Sequence, residues 1–279
     1  MTKERSAPAR RRRNARDRWI PVLASVVSTG VVFGLATWWI TSSEFWPAVQ
    51  RQFFSGEAIR ESFPAVLRGF WLNVRIWVIA EIFILVLSLV LALMRSFTGP
   101  IAAPFRVFAI AYIDLLRGIP ALLLILLLGF GVPALQLPGL PRGALFWGTV
   151  AMILGYSAYT AEVYRSGMEA VHDGQRAAAR ALGLSQWQTM RYAIVPQAVR
   201  NVLPALLNGA VSLQKDVALL SVIGVREAVR EAQIYTARTF NYSSLIAAAV
   251  LFLIASVPLA RLTDRYARRD QERRLQRTL

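Results

Sequence analysis

The sequence predicts an all-α polytopic membrane protein with about six transmembrane helices and both termini on one, cytoplasmic, side. Three observations carry this expectation. Hydrophobic residues make up 56% of the 279-residue chain and its mean hydropathy is +0.45, too apolar for an ordinary soluble domain. Several apolar runs approach or exceed the ~20 residues needed to cross a ~30 Å hydrocarbon core. The basic residues are also sorted by segment. Segments 1–19, 95–106, 165–200 and 261–279 hold 22 of them, and the alternating segments 42–69, 132–143 and 224–241 hold 7. Positive charge gathers on the cytoplasmic side of a membrane protein, which fixes the orientation and requires an even number of spans.

Taken in order, 1–19 is a basic cytoplasmic tail carrying Lys3, Arg5, Arg10, Arg11, Arg12, Arg13, Arg16 and Arg18. A twin-arginine export signal is the sharper alternative. The apolar run that follows is long enough to span and no small-residue cleavage site follows it, so it reads as a retained signal anchor and first span, 20–41. Segment 42–68 mixes balanced charge with Phe45, Trp46, Phe53 and Phe54, as a loop at the membrane interface would. The second span, 70–93, contains Arg75 and Glu81. The third, 105–132, is expected to break at Gly118-Ile119-Pro120. After a Pro/Gly-rich loop at 133–143 come the fourth, fifth and sixth spans at 144–164, 201–223 and 242–262. A polar loop at 165–200 separates the fourth from the fifth, and 263–279 is a second basic tail.

The stretch that organises the chain lies within that polar loop and the start of the next span, from Gly174 to Pro204. Gln175 to Leu182 is a strong helix former, with Ala177, Ala178, Ala179 and Ala181. Gly183 is the residue most often found just past a helix end. Ser185, with Gln188 three residues on, is a capping-box pattern that starts a second helix, which Pro196 is expected to interrupt. The result is helix, glycine elbow, helix. The first helix is about two turns long, and isolated helices below ~12 residues are marginal in water, so it is expected to hold its shape by docking into a partner.

Ala178-Ala179, Gly183 and Pro196 stand at the spacing of the EAA loop (Glu-Ala-Ala, three residues, Gly, nine residues, then Ile-x-Leu-Pro). Gly174-Gln175, Pro196-Gln197-Ala198 and Leu203-Pro204-Ala205-Leu206-Leu207-Asn208 flank it. Lys215-Asp216, Leu220-Ser221-Val222-Ile223-Gly224-Val225, Tyr112-Ile113-Asp114 and Arg117-Gly118-Ile119-Pro120 extend the match. Over roughly 69–262 the chain resembles the permease subunits of ATP-binding-cassette importers, in the branch that takes up polar amino acids. The resemblance implies a type I importer transmembrane fold in a bacterial inner membrane and import of a polar or charged amino acid, with a compatible solute or amino-acid derivative as the runner-up. It implies an ATPase dimer that carries the ATP and Mg, a second permease half and an extracytoplasmic solute-binding protein. Gly174, Gln175, Arg176, Ala177, Ala178, Ala179, Arg180, Leu182, Gly183, Ser185 and Pro196 would couple to the ATPase. The chain departs from the pattern at Ala177, Ala193 and Val195, where the family has Glu, Ile and Leu. With the acid gone and Arg176 and Arg180 on one helix face, docking is expected to rest on packing. That favours a heterodimer in which the other half keeps its Glu, a homodimer being the alternative.

Ionisable and polar groups at membrane depth are costly and face a protein interior or a water-filled path. The candidates are Glu81, Asp114, Arg117, Glu162, Asn208, Lys215 and Asp216, with Arg75 and Gln214 beside them. Lys215 lies about 14 residues, or roughly 20 Å, into the fifth span. Lys215 and Asp216 project ~100° apart and each needs a different partner. An interhelical ion pair and a place on the solute path are both open for them. For Asn208 and Gln214 the reading is interhelical hydrogen bonding. Asp114 and Arg117, three apart, can pair along one face, and Glu162 near Arg165 suits a loop anchor or gate.

Other classes are excluded or disfavoured. No Cys and a single His, His172, leave no thiolate or histidine-cluster metal site in the chain. No G-x-x-x-x-G-K-[ST] loop is present, so the chain is no ATPase, and no cofactor site or acid–base constellation of an enzyme is visible. The formal charge of +16 comes without a nucleic-acid motif, and its sorting by segment is better explained by a membrane protein's orientation. A secondary transporter using Glu81, Asp114 or Glu162 as proton sites is the remaining alternative, and it would show inverted repeats.

Overall fold

The computed structural model describes residues 15–97 and 99–278, and all regular structure among them is helical. The expected basic run from Lys3 to Arg13 lies outside the described residues. The chain divides into two compact units, residues 1–52 and 53–279.

In the first unit α1 (Ala15–Thr41) holds an apolar stretch, Val22–Thr41, and every side chain along that stretch is exposed. A helix apolar on all sides with nothing packed on it belongs in lipid. Trp38 and Trp39 mark one end, where aromatic rings favour the headgroup level. The short α2 (Trp46–Phe53) follows.

The second unit is built around α3 (Gly56–Ser96), a 41-residue helix. The sequence reading placed an interface loop up to residue 68, and the structure corrects it. Ala58, Ser62, Val66, Gly69, Asn73, Ile76, Ala80, Ile84, Ser88 and Leu91 are buried at steps of three and four, so one stripe continues unbroken through the region read as loop. Its first members are small, and exposed aromatics and charges between them masked the periodicity.

Next come α4 (Ala103–Gly118), α5 (Ala121–Leu126), a π-helical turn (Leu127–Gly131) and α6 (Val132–Ala134). The chain bends by 102° at the break between Gly118 and Ala121, where Pro120 has no N–H to continue the ladder. The expected break is there, but it makes a sharp corner in place of a straight third span. Among the described residues five helical stretches are long and apolar enough to cross a membrane, and this bent pair is the sixth if it counts as one.

α7 (Ala144–Glu169) packs along α3. The main core joins Ile76, Ala80 and Ile84 of α3, Leu124 and Ile125 of α5, Ala151, Met152 and Ala158 of α7, and Leu213 beyond them. A second cluster around Tyr164, Met168, Met190, Ile194, Ala198 and Val202 sits toward the polar loop. That loop holds α8 (Asp173–Ala181) and the single turn α9 (Gln186–Gln188), then a π-helical segment (Thr189–Ile194) that runs into α10 (Val195–Asp216).

Pro196 does not interrupt the second helix, contrary to expectation. The preceding π turn widens the ladder, with Val195 N–H donating to the Met190 carbonyl, and Pro196 falls in the first turn of α10, where its missing N–H is not needed. A 3₁₀ segment (Val217–Ile223) ends at Gly224 in the left-handed region. The stretch 224–241, read as a loop, contains α11 (Ala228–Thr239), which packs on α3 and on α12 (Ser243–Thr278). α12 carries the sixth span straight on into the segment read as a tail.

Candidate functional site

Two features stand out, one at each end of α10. The first is the elbow. His172 caps α8, its Nδ1 accepting from Gly174 N–H at 3.0 Å. The helix closes at Gly183 with φ +78°, a conformation in which a side chain clashes with the backbone. Ser185 Oγ accepts from Gln188 N–H at 3.3 Å and Gln188 Oε1 accepts from Ser185 N–H at 2.9 Å, the reciprocal capping box.

Of the alanines, Ala179 is buried against the protein while Ala177, Ala178 and Ala181 face outward. Beside them Leu182 is 81% exposed. The outer face of the elbow is therefore small and apolar, with Gln175 also exposed. Arg176 and Arg180 share a face, as their spacing dictates, but Arg176 turns inward and donates to the Met168 carbonyl at 2.8 Å. Gln197 Nε2 lies 3.3 Å from Gln175 Oε1, tying the two helices of the elbow together.

The second feature is a polar stripe at membrane depth. Ala205, Asn208, Ser212 and Lys215 are exposed along one face of α10 at steps of three and four. Neither Asn208 nor Lys215 has a hydrogen bond or ion pair among the described residues. Asp216 turns the other way and accepts from the Tyr156 hydroxyl of α7. Gln214 is buried; its Oε1 accepts from Ser256 of α12 at 2.6 Å, and its Nε2 has no partner among the described residues. Glu81, half-buried on α3, has neither hydrogen bond nor ion pair among the described residues.

The remaining candidates lie elsewhere. Glu162 pairs with Arg95 at the end of α3 and with Arg165 at 2.8 Å, so it fastens α3 to α7. Asp114 and Arg117 are both exposed and form no ion pair among the described residues. Instead Arg117 lies over the Tyr159 ring, 5.7 Å from its centroid, and the Tyr159 hydroxyl donates to the Arg117 carbonyl at 3.1 Å. Stacking on an aromatic face draws the guanidinium away from the carboxylate. Arg75 stacks similarly on Trp71, at 5.6 Å.

Sequence reasoning missed the anchor of α11. Glu227 is fully buried at its N-terminus and accepts from Val229 N–H (3.0 Å), Arg230 N–H (2.7 Å) and Asn73 Nδ2 (3.0 Å). Asn73 Oδ1 accepts in turn from Ala228 N–H at 3.0 Å. Burial pushes the Glu227 carboxyl up from its ordinary value, against the opposing pull of those bonds. The only signal was a Glu opening a helix-forming run, and its partner lies 154 residues away.

An all-helical membrane bundle with a helix–glycine–helix elbow and an unpartnered polar face at membrane depth defines the membrane-embedded component of a transport system. The family model for the binding-protein-dependent transport system inner membrane component matches residues 98–270, and the chain belongs to that family. Among its relatives, the arginine transport system permease protein ArtQ of Bacillus subtilis (strain 168) is 34% identical over 192 residues, 68% of this chain and 85% of ArtQ. The glutamine transport system permease protein GlnP of Escherichia coli (strain K12) is 33% identical over 217 residues, 77% of this chain and 97% of GlnP. The crystal structure of an amino acid ABC transporter with histidines matches with TM-score 0.68 and 31% identity over 77% of this chain and 98% of that one. The inward-facing MetNI methionine ABC transporter, 18% identical, shares the fold with TM-score 0.63 over 75% of this chain and 97% of that one. The chain is thus a permease subunit of the ATP-binding-cassette importer type, a transport component and not an enzyme by itself.

Proposed function

We propose that this permease forms half of the translocation path for a polar or charged amino acid in a bacterial inner membrane. An extracytoplasmic binding protein delivers the solute, and a separate ATPase docks on the elbow from the cytoplasm, where both termini of the chain also lie. The observation that carries the reading is the exposed stripe Asn208–Ser212–Lys215. A lysine at membrane depth with no partner among the described residues does not face lipid, because the cost of a bare charge there is several kcal/mol. It faces a second permease half and the path between them, where a zwitterion's carboxylate is its natural counter-charge. The amino-acid transport named for ArtQ and GlnP supports the solute class.

Docking on the elbow then rests on Ala178, Ala181 and Leu182, which present a packing surface in place of the acid that Ala177 lacks. A distinct second half that keeps a Glu at that position would complete the coupling, so the working unit is a heterodimer.

The test is to purify the chain with its co-expressed ATPase, candidate second permease and binding protein, then measure uptake of an amino-acid panel in proteoliposomes. ATP-dependent uptake of one polar amino acid, restored only when the second permease is present, is expected. A functional complex containing two copies of this chain contradicts the heterodimer, and ATP-independent uptake driven by a proton gradient contradicts the whole reading.

A further inference from the structure

Behind the elbow, on the side away from Ala178 and Leu182, lies a polar cleft of about 380 Å³ lined by Ser96, Arg176, Arg180, Leu184, Gln186, Thr189 and Met190. Three of its features point to an anion. Arg180 has no ion pair or hydrogen bond among the described residues. Arg176, on the same face, donates to the Met168 carbonyl at 2.8 Å and more loosely to Met190 Sδ at 3.9 Å, with the carboxylate of Asp173 also at 3.9 Å, so its charge is only weakly balanced. Thr189 is only 6% exposed, yet its Oγ1 has no partner among the described residues. A buried hydroxyl without a partner is costly and calls for an acceptor or donor in the cleft it lines.

A second groove adjoins the first. Phe97, Gly99, Pro100, Ile101, Ala102 and Phe105 line it, and it shares Gln186 with the polar cleft. Ser96 of the cleft and Phe97 of the groove are consecutive residues. Ile101 is 89% exposed and Phe105 59% exposed. Trp187, half exposed, packs on Phe97 with ring centroids 6.0 Å apart, the kind of aromatic pair found at headgroup level. A charged cleft bordered, through Gln186 and the Ser96–Phe97 step, by an apolar, aromatic-rimmed groove at the end of a membrane helix has the two-part chemistry of a phospholipid.

We infer that the cleft takes the phosphate of an anionic phospholipid from the leaflet on the elbow's side, and the groove takes the start of an acyl chain. Arg176 and Arg180 neutralise the phosphate and Thr189 donates its hydroxyl to it. The lipid then braces α8 against the end of α3 from behind, leaving the outer face of the elbow free. An acidic side chain of a docking protein has the same charge, but it has no use for the apolar groove, so the lipid is the better fit. The inference stands on the cleft and groove alone and does not depend on the solute assignment.

The full-length chain, purified in detergent, can be titrated with phosphatidylglycerol, phosphatidylcholine and inorganic phosphate and read by native mass spectrometry. Phosphatidylglycerol should bind in clear preference to phosphatidylcholine. Arg180→Gln should weaken it roughly fivefold, and Arg176→Gln with Arg180→Gln about twenty-five-fold, in line with the attraction per basic residue near a charged lipid surface. Arg191→Gln, which removes an exposed charge elsewhere on the elbow, should leave binding unchanged, and Ile101→Ser should weaken the lipid alone. Equal binding of the two lipids, or an Arg191→Gln effect as large as that of Arg180→Gln, overturns the site. Full displacement by inorganic phosphate overturns the lipid in favour of a simple anion. If Arg180→Gln abolishes ATPase binding and leaves phosphatidylglycerol bound, the cleft belongs to the ATPase instead.

Discussion

The two ends of α10 are held by different kinds of interaction. At the elbow almost every defining contact is local: His172 to Gly174, Ser185 to Gln188, and Gly183 turning the chain by itself. At the other end nothing local suffices. Asp216 is held by Tyr156, Gln214 by Ser256, and α11 by Asn73 through Glu227, each partner on another helix. On the proposed reading, a segment whose shape is set by its own neighbours keeps that shape while it transmits motion. A segment built from distant helices has little freedom, and on the same reading it sets the shape of the path.

The harshest way to break this contrast is at Gly69. A Cβ there would lie 2.6 Å from Ala228 N and from the Glu227 carbonyl carbon, so α11 cannot stay docked. Gly69→Val should cost about 3 kcal/mol or more, at the upper end of overpacking effects, read as a lowered melting temperature in detergent. A variant that melts like its parent would mean that α11 is only loosely attached.

Lys215→Met comes next, and it separates path from scaffold. Loss of one charged contact to the solute, worth ~1.5–3 kcal/mol, should cut uptake about ten- to hundredfold with the purified complex intact. A bundle ion pair to another subunit predicts the opposite: loss of the detergent-stable complex, since an abandoned buried charge costs ~3–5 kcal/mol.

The Glu227 pair sharpens the comparison on the scaffold side. Glu227→Ala strands the donors of Asn73, Val229 and Arg230 and should destabilise by about 1–3 kcal/mol, while Glu227→Gln keeps an acceptor and should cost less. With the folded carboxyl pushed above its ordinary value, its contribution favours the fold at low pH and is lost as pH rises through the folded value. The parent's melting temperature should therefore fall across that window, and that of Glu227→Gln should stay flat. The smallest effect belongs to the elbow. Ser185→Ala removes one half of the capping box, at about 1 kcal/mol.

The same contrast explains what could be read from the sequence. Glycine at a helix end and Ser–x–x–Gln are statements about neighbours, so the elbow was legible residue by residue. The six apolar stretches and their charge asymmetry were legible because lipid acts as a uniform solvent. What escaped was set by partners far along the chain. The first three turns of α3 looked like a loop because their buried residues are small and their exposed ones aromatic and charged. α11 looked like a loop because Glu227 is an unusual cap until Asn73 is placed beside it. Pro196 looked like a helix breaker because the π turn that accommodates it leaves no mark in composition. The sequence keeps both ion pair and path open for Lys215 and Asp216, and the structure separates the two residues: Asp216 has Tyr156, while Lys215 has no partner among the described residues.

The central claim is that the elbow passes ATP-driven motion into a bundle that folds without it. Gly183 tests it most directly, because its φ of +78° strains a branched side chain even though nothing lies within 4 Å of where a Cβ would sit. Any effect of Gly183→Val therefore comes from the backbone turn, at about 1–2 kcal/mol of local strain. The measurement is solute moved per ATP hydrolysed in proteoliposomes of the assembled complex, with the melting temperature of the same preparation. The account predicts that transport per ATP collapses while the bundle melts within a few degrees of the parent. Normal coupled uptake by Gly183→Val would contradict it.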